Sequence, residues 1–455
     1  MEKVSVDSEN KNLTIGSMFL YVLVSIALLS SFLGPRSAQC TTYYVDNLNG
    51  IDTNSGFIGQ PWATLEKATK AAKAGDTVIV VSNGADKPYR EIISLQSSGL
   101  PDNYIVFMGE SSTNMPRIVG NGNETIFNCY EKGYLKIKNL SFENTSESGM
   151  SFFNCHHIEI SSVEVRNAGK NGIVVGGGGS NYIIDGCSIS EVHNSGIVLL
   201  GYEGRQLSNT LIQNCIVSDV QRNDGITLHK NSGGFDIGSN HVIRGNFLTK
   251  CGEQGIDITS GKNIFVENNI TSENGDSGIV VGHNVENVSI KSHVSSNEKK
   301  YGIIIAASKN VLLMNSLIIN PSSKAAMGIY NCDGLTVINS LIEHGPCRTE
   351  GSLVDIEPNV KNLKFEGNTF SVPERFSGVI LRYILAGDPV STGTIWSGNQ
   401  WAIPVMAKAM YSDKDGDVSF DKFKEKYAPT DSLSNTRQGK PCVVTPPQSL
   451  RRYGN

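Results

Sequence analysis

A single phrase recurs through the middle of this chain: a small or polar residue, a glycine, and then alternating aliphatic residues. Copies lie at residues 148–150, 171–175, 195–199, 224–228, 254–258, 277–281, 301–305 and 327–330. From Gly149 to Gly328, the glycines of successive copies are separated by 23, 24, 29, 30, 23, 24 and 26 residues. A repeat of about 20 to 30 residues, with short strands in each unit, indicates a solenoid whose coils stack into one continuous core.

A second phrase, which is rich in aliphatic residues and often ends in Gly or Asn, lies between the copies at residues 182–186, 210–214, 241–246, 264–269 and 335–339. Side chains alternate between the two faces of a strand, which places Ile226 with Leu228, and Ile256 with Ile258, on the inner face. The repeat glycine is expected to supply a tight bend at the strand entrance. Asparagines at the corners are expected to adopt left-handed φ and to bond along a stack. The sequence therefore predicts an all-β fold, a single-stranded parallel β-helix.

The two ends of the chain differ from the repeat. Residues 1–40 contain an uncharged apolar run of 16 residues at 18–33, which is short for a membrane span of about 20 residues. It fits a signal peptide cleaved after Ala38, with an uncleaved signal anchor as the alternative. Residues 41–395 are expected to form the β-helix, with an N-terminal capping helix within 62–74. Residues 396–455 are expected to form a C-terminal capping segment with a short helix at 420–427.

Composition narrows the possible partners and compartments. Charged residues make up 18% of the chain, the net charge is −5, and the sequence has no basic block, so nucleic acid is not an expected partner. The apolar N-terminal run predicts a secreted or cell-surface protein, in which nine cysteines would suggest disulfides. Cys187 and Cys215, however, occupy equivalent positions in successive repeats, which indicates a stack of small buried side chains. We expect the protein to act as a monomer.

Three N-terminal segments carry a resemblance to a known superfamily. They are residues 43–52 (YYVDNLNGID), 61–68 (PWATLEKA) and 74–78 (AGDTV). With the repeats, they resemble the pectate-lyase-like right-handed parallel β-helix proteins, which include pectate lyases, alginate lyases, chondroitinase-B-like lyases and mannuronan carbon-5 epimerases. The resemblance implies a right-handed solenoid and an acidic polysaccharide as partner, which the protein would cleave or epimerise. It is more specific for the fold than for the reaction, because this fold carries several chemistries.

Two successive intervals of the repeat are long, which places extra residues near 201–206 and 229–236. Insertions at one register of a solenoid form loops on one face, often the binding face. Outward acidic residues accompany these insertions in neighbouring coils, which are about 4.8 Å apart. Oxygen ligands at such spacing suit Ca²⁺. The predicted metal ligands are Asp224, Glu253, Asp257 and Asp276.

β-Elimination and epimerisation of a uronate both begin with removal of the carbon-5 proton. That step requires the substrate carboxylate to be neutralised, by Ca²⁺ or by arginine, and it requires a base and a proton donor. The predicted catalytic residues are His229, Lys230, Lys262 and Arg244. The residues expected to bind substrate are Arg222, Tyr202, His241 and His283.

The motifs leave several reactions open. Residues 251–257 followed by Lys262 are similar to lyases with a lysine base, although the two acids are four residues apart rather than two, and no arginine occupies the next coil. Residues 224–229 resemble the setting of the epimerases' acidic motif, but the Asp-Pro-His motif itself is absent. We predict a lyase that cleaves an acidic polysaccharide by β-elimination. The alternatives are a carbon-5 epimerase of the same substrates, a non-catalytic glycan-binding or adhesin β-helix, and a glycoside hydrolase that uses Asp224 with Asp257.

Overall fold

Three long parallel sheets run the length of the chain and wind around one core. The computed structural model describes residues 40–433, apart from residues 121, 203, 231–235, 320–323, 346–349, 358, 384–392, 405–409 and 414–415. The chain divides into two units, residues 1–40 and residues 41–455. The predicted signal segment lies outside the described residues. Within the described part of the chain, no helix has the length and hydropathy that a membrane span requires.

Each of the three sheets takes one strand from each successive coil, and all strands within a sheet are parallel. The 14 strands of sheet A are Thr42–Val45, Thr77–Val80, Ile105–Gly109, Gly133–Lys138, His156–Ser161, Gly179–Asp185, Leu207–Gln213, Gly238–Arg244, Lys262–Glu267, Glu286–Lys291, Lys309–Met314, Asp333–Ile338, Lys364–Glu366 and Ile395–Ser397. The 13 strands of sheet B are Arg117–Val119, Ser141–Thr145, Glu164–Ala168, Ser188–Ser190, Ile216–Ser218, Phe247–Thr249, Ile270–Ser272, Val294–Ser296, Leu317–Ile319, Leu341–Glu343, Thr369–Ser371, Gln400–Ala402 and Ser432–Leu433. The 12 strands of sheet C are Ile93–Ser94, Phe127–Tyr130, Met150–Phe153, Ile173–Gly176, Ile197–Leu200, Ile226–His229, Ile256–Ile258, Ser277–Val281, Tyr301–Ala306, Met327–Tyr330, Ser352–Ile356 and Val379–Tyr383.

The chain passes from sheet A to sheet B to sheet C within one coil and then returns to sheet A. Each strand pairs with its counterpart one coil away, so equivalent residues form ladders along the solenoid. A short antiparallel pair, Tyr411–Asp413 with Gly416–Val418, lies near the C-terminus. This arrangement confirms the predicted parallel β-helix.

The alternation of side chains between the two faces of each strand fills the core, as the sequence predicts. Ile226, Leu228, Ile256 and Ile258 are completely buried, and in-register pairing stacks each on its counterpart in the next coil. Cys187 and Cys215 are free thiols that are buried in the core.

The repeat glycines serve close packing rather than a special bend. At Gly172, an added β-carbon would lie 2.5 Å from the carbonyl oxygen of Gly196 in the next coil and 2.5 Å from the side chain of Ile189 in sheet B. The φ angle of Gly172 is not positive, so this glycine is not required by a left-handed backbone. A side chain would separate the coils at the point where sheet B meets sheet C.

Asparagines form a hydrogen-bonded ladder along sheet A, as predicted for the corners. Each has a positive φ, for example 64° at Asn240 and 52° at Asn263. The side-chain amide of one asparagine donates to the next at distances of 3.1 to 3.4 Å. The ladder consists of Asn181, Asn209, Asn240, Asn263, Asn287 and Asn310.

Short helices lie near both ends of the solenoid. Helix α1, Leu65–Ala71, starts at Thr64, whose hydroxyl accepts a bond from the backbone N–H of Lys67, and it buries Leu65. Helix α2, Phe420–Tyr427, buries Phe423 against Trp396 and Trp401. Both helices fall where the sequence predicts them. Strands of sheets A and B continue past residue 395, to Ile395–Ser397 and Gln400–Ala402.

The outer faces of the sheets differ in exposure. On sheet A, outward residues such as Ile183 and Phe265 are about two-fifths exposed, at 37% and 41%. On sheet C, outward residues of the middle coils are nearly covered, with 6% of Thr227 and 8% of Asp257 exposed. We call this in-register ladder the outer strip of sheet C: Val174, Val198, Thr227, Asp257, Val280, Ile304, Gly328, Asp355 and Arg382.

Candidate functional site

Two buried carboxyl groups lie in neighbouring coils, one on the outer strip of sheet C and one beside it. Asp224 directly precedes a repeat glycine, and its carboxylate accepts hydrogen bonds from the Thr227 hydroxyl at 3.0 Å and from the backbone N–H of Gln254 at 3.0 Å. Asp257 is the in-register neighbour of Thr227 in the next coil. Among the described residues, the Asp257 carboxyl has no hydrogen-bond partner. We call Asp224 and Asp257 the acid pair.

The environments of the two carboxyls separate their pKa values. Burial, together with the nearby charges of Asp224 and Glu253, raises the pKa of Asp257 to about 8. Burial also raises the pKa of Asp224, but the two donors from Gln254 and Thr227 stabilise its ionised form, and its pKa is about 6. At neutral pH the pair therefore holds one proton, on Asp257, while Asp224 carries the charge.

Two further predicted metal ligands lie at the rim of the acid pair. Glu253 is exposed, and its carbonyl oxygen accepts from the backbone N–H of Asp276 at 2.9 Å. The Asp276 carboxylate forms an ion pair with Lys300 at 2.5 Å. In the described part of the chain, no three His, Cys, Asp or Glu side chains are grouped so that they could hold a metal ion. The Ca²⁺ site at Asp224, Glu253, Asp257 and Asp276 therefore stays a prediction.

Other predicted residues of these coils are exposed at the surface. His229 ends the strand that contains Thr227, two positions further along, so both face outward. It is exposed, and its Nδ1 lies 2.7 Å from the carbonyl oxygen of Lys230. Lys230, Arg222 and Tyr202 are also exposed. The predicted insertion around 229–236 lies largely outside the described residues.

The structure does not bring Lys262 and Arg244 to the acid pair, so the expected convergence is wrong for both. They lie on sheet A, where Lys262 pairs with Glu286 at 3.5 Å and Arg244 donates to the side chain of Gln213 at 2.8 and 2.9 Å. The physical reason is the path of the chain within one coil. The chain turns a corner after each strand of sheet C, so a residue five positions after Asp257 belongs to another face.

The two remaining histidines among the predicted site residues, His241 and His283, also lie away from the outer strip. His241 is completely buried inside sheet A, and neither of its ring nitrogens has a partner among the described residues. It cannot contact a surface substrate, because strand alternation points it into the core beside Thr210. This corrects its predicted role. His283 is exposed at the corner after Ser277–Val281, with a φ of 57°.

A second polar cluster on the outer strip was not predicted from the sequence. Asp355 is completely buried and forms an ion pair with Arg382, while the Tyr301 hydroxyl donates to it at 3.3 Å. The Tyr330 hydroxyl donates to Tyr301 at 2.7 Å. A signal was present, since Val354-Asp355-Ile356 repeats the phrase Ile256-Asp257-Ile258, but the preceding glycine is replaced by leucine. We call Tyr301, Tyr330, Asp355 and Arg382 the tyrosine–arginine cluster.

Comparisons with known families support the fold. Residues 43–252 match the family described as Pel9A-like, right handed beta helix region. Residues 218–404 match the family described as periplasmic copper-binding protein (NosD). No curated protein sequence matches the chain. The resemblance to pectate-lyase-like right-handed β-helix proteins is thus confirmed, and the solenoid is right-handed.

Solved structures with low identity share this architecture. The GH87 α-1,3-glucanase catalytic unit from Streptomyces thermodiastaticus is 13% identical, with a TM-score of 0.53 over 77% of this chain and 66% of its own. The Dettilon tailspike protein is 12% identical, with a TM-score of 0.53 over 72% and 65% of the two chains. The mannuronan C-5 epimerase AlgE6 A-module from Azotobacter vinelandii is 14% identical, with a TM-score of 0.49 over 83% and 93%. At such identity, likeness establishes the fold alone.

Proposed function

We propose that this protein hydrolyses a glycosidic bond of a polysaccharide at the acid pair. The observation that carries the proposal is the placement of two buried carboxyls in neighbouring coils. Asp224 accepts hydrogen bonds from Thr227 and Gln254, whereas Asp257 accepts none from the described residues. Burial holds their pKa values apart, at about 8 for Asp257 and about 6 for Asp224. Glycoside hydrolysis requires one carboxylic acid and one carboxylate on either side of the scissile bond. Titratable neighbours whose environments separate their pKa values identify the acid and the base.

Each carboxyl has a distinct role in this mechanism. Asp257 is protonated at neutral pH and donates its proton to the glycosidic oxygen as that bond breaks. Asp224 is held ionised and oriented by Thr227 and by the backbone N–H of Gln254. It stabilises the positive charge that develops on the sugar, and either attacks the anomeric carbon or activates a water molecule. Net addition of one water leaves a new reducing end and returns the proton to the pair.

An extended glycan suits the site because the outer strip continues over several coils. In-register pairing continues it over many coils on both sides of Asp257. The structural neighbours include an enzyme named for α-1,3-glucan. An acidic polysaccharide outside the cytoplasm is our proposed substrate, in keeping with the pectate-lyase-like family matched at residues 43–252 and the periplasmic family matched at residues 218–404.

β-Elimination is the second candidate function, and exposed His229 favours it. This imidazole lies on the same outward face as Thr227 and could remove a carbon-5 proton. Neutralisation of the substrate carboxylate would then fall to Arg222 or to added Ca²⁺, which remains a proposal. An epimerase would share these first steps and then return a proton to the opposite face.

Product analysis distinguishes the candidates. The full chain is incubated with alginate, pectate, glycosaminoglycans and a neutral glucan, with Ca²⁺ or with a chelator. Hydrolysis yields new reducing ends without ultraviolet absorbance, whereas elimination yields an absorbing unsaturated uronate. Carbon-5 exchange without chain cleavage identifies an epimerase. Binding without any product would contradict the catalytic proposal and leave a glycan-binding protein.

A further inference from the structure

An aromatic ring lies on the outer strip at Gly328. A β-carbon at this glycine would lie 2.6 Å from a ring carbon of Tyr330 and 2.8 Å from its hydroxyl oxygen. Real β-carbons do not make such contacts, so the ring occupies the space that a side chain would fill. Tyr330 is half-buried. The glycine thus allows the tyrosine ring to cover the strand at this point of the ladder.

The ring is fixed in place by the tyrosine–arginine cluster. Tyr330 donates to Tyr301, which donates to the buried carboxylate of Asp355. Ser352 also donates to Asp355. Burial raises the pKa of Tyr330 far above its ordinary value, and the hydrogen bond with Tyr301 raises it further. Tyr330 therefore remains an uncharged phenol, which suits it to packing rather than to removing protons.

Arg382 supplies a positive charge beside the ring. Its Nε donates to Asp355 at 2.9 Å and its Nη2 donates to the same carboxylate, while 53% of the side chain stays exposed. A guanidinium has five N–H donors, so some remain for another acceptor. Lys324 lies 5.8 Å from the centre of the Tyr301 ring and is exposed. Two cations against one carboxylate leave this part of the strip positively charged.

The cluster lies on the same face as the acid pair, a short way along the solenoid. Asp257 pairs with Val280, Val280 with Ile304, and Ile304 with Gly328. Three strand steps of about 4.8 Å correspond to roughly 14 Å. The intervening residues of the strip, Val280 and Ile304, are aliphatic and half-buried.

We propose that Gly328, Tyr330 and Arg382 form a second sugar subsite that binds a glycan unit bearing an anionic group. The Tyr330 ring packs against the apolar face of the sugar ring, and Arg382 binds its carboxylate or sulfate by charge-assisted hydrogen bonds. This inference rests on the proposed function, since it assigns the substrate to the acidic polysaccharides.

Binding measurements on catalytically impaired protein test the subsite apart from turnover. In the Asp257→Asn background, calorimetry measures affinity for an oligouronate, for a sulfated oligosaccharide and for a neutral oligosaccharide of equal length. Arg382→Gln is expected to weaken binding of the anionic ligand about tenfold and to leave neutral ligand unaffected. The retained amide can still donate to Asp355. The preferred anion, carboxylate or sulfate, is the one whose affinity falls more.

Two more variants distinguish the contribution of the Tyr330 ring to binding from that of the Arg382 charge. Gly328→Val displaces the Tyr330 ring and is expected to weaken every ligand, whereas Tyr330→Phe keeps the ring and is expected to change little. Arg244→Gln, on sheet A, removes a positive charge elsewhere and is the matched control. Thermal unfolding confirms that each variant folds.

Parent-like affinity of both Arg382→Gln and Gly328→Val for the anionic ligand would overturn the subsite. Equal losses in Arg244→Gln and Arg382→Gln would also overturn it, because only overall charge would then matter. If the chain has no hydrolytic activity but the affinity pattern holds, the proposed function fails and the subsite stands.

Discussion

Sheets A and C are built from the same coils, yet their outer faces hold charge differently. On sheet A, charged side chains such as Lys262 and Glu286 are substantially exposed and pair with each other. On sheet C, Asp224 and Asp257 are buried, and their pKa values are raised. Water screens the first set, whereas burial removes that screening from the second. In this solenoid, the carboxyls with raised pKa values lie on the covered face of sheet C. The presence of charged residues alone does not locate the candidate site.

The largest expected effect comes from substituting one residue on each of the two faces and comparing the variants. Asp257→Asn removes the proton donor and is expected to lower kcat by about 10³-fold, within the usual range for a general acid. Lys262→Gln, on sheet A, is expected to stay within about twofold of the parent, as for a surface change. Steady-state cleavage assays measure both. Loss of activity in Lys262→Gln with retention in Asp257→Asn would reverse the assignment of the faces.

The pH dependence of cleavage tests the roles of the two buried carboxyls on sheet C. Activity requires Asp224 ionised and Asp257 protonated, so kcat/KM should rise as pH passes about 6 and fall as it passes about 8. The two pH values at which kcat/KM changes describe the acid pair as a whole and not either carboxyl alone, because the two groups interact. Initial rates across pH 4 to 10 measure the profile. Activity that keeps increasing beyond the upper limb would contradict the role of Asp257 as the proton donor.

Stability should fall as pH rises through the range in which Asp257 loses its proton. The folded-state pKa of Asp257 is raised to about 8, so between about pH 4 and 8 the folded protein holds a proton that the unfolded chain releases. The free energy of unfolding therefore falls as pH rises through this window. Asp257→Asn removes the buried charge and should stabilise the protein at pH 8 by on the order of 1–3 kcal/mol.

Chemical denaturation at pH 4 and pH 8 checks this prediction, and the gain should vanish at pH 4. Asp333→Asn is the matched control, since it removes a solvent-exposed carboxyl on sheet A. A variant at Asp257 that is less stable than the parent at pH 8 would show that the carboxylate has a partner in the folded state.

The smallest effect is expected on the asparagine ladder of sheet A. Asn263 has a φ of 52° and hydrogen bonds to both Asn240 and Asn287. Asn263→Ala should lower the free energy of unfolding by about 1–3 kcal/mol, from lost bonds and the left-handed backbone. Asn263→Gly keeps the backbone freedom and so isolates the bonds. Cleavage should be unchanged in both variants, and a loss of activity would show that sheet A takes part.

The solenoid was predictable because its signal repeats in every coil. Alternation located Ile226 and Ile256 in the core, and the corner asparagines followed from their tolerance of left-handed φ. Asp224 and Asp257 could be named because each lies within two residues of the repeat glycine in neighbouring coils. Lys262 and Arg244 could not be excluded from sequence, since the position of each corner within a coil decides which sheet a residue joins.

The tyrosine–arginine cluster shows the other limit. Tyr301 and Asp355 are 54 positions apart, and their coil lengths differ, so no fixed spacing connects them. Arg382 lies beyond the part of the chain where the glycine phrase is regular. Only the register of the strands brings these side chains together. The burial that raises the pKa of Asp257 likewise depends on neighbours from several coils.

The mass of the cleavage products tests the central claim most directly. The parent chain, Asp257→Asn and Lys262→Gln are each incubated with a defined acidic oligosaccharide, and the products are weighed by mass spectrometry. We predict products that have gained one water in total, from the parent and from Lys262→Gln, and none from Asp257→Asn. Unsaturated products that have gained no water, or full activity in Asp257→Asn, would contradict hydrolysis by the acid pair on sheet C.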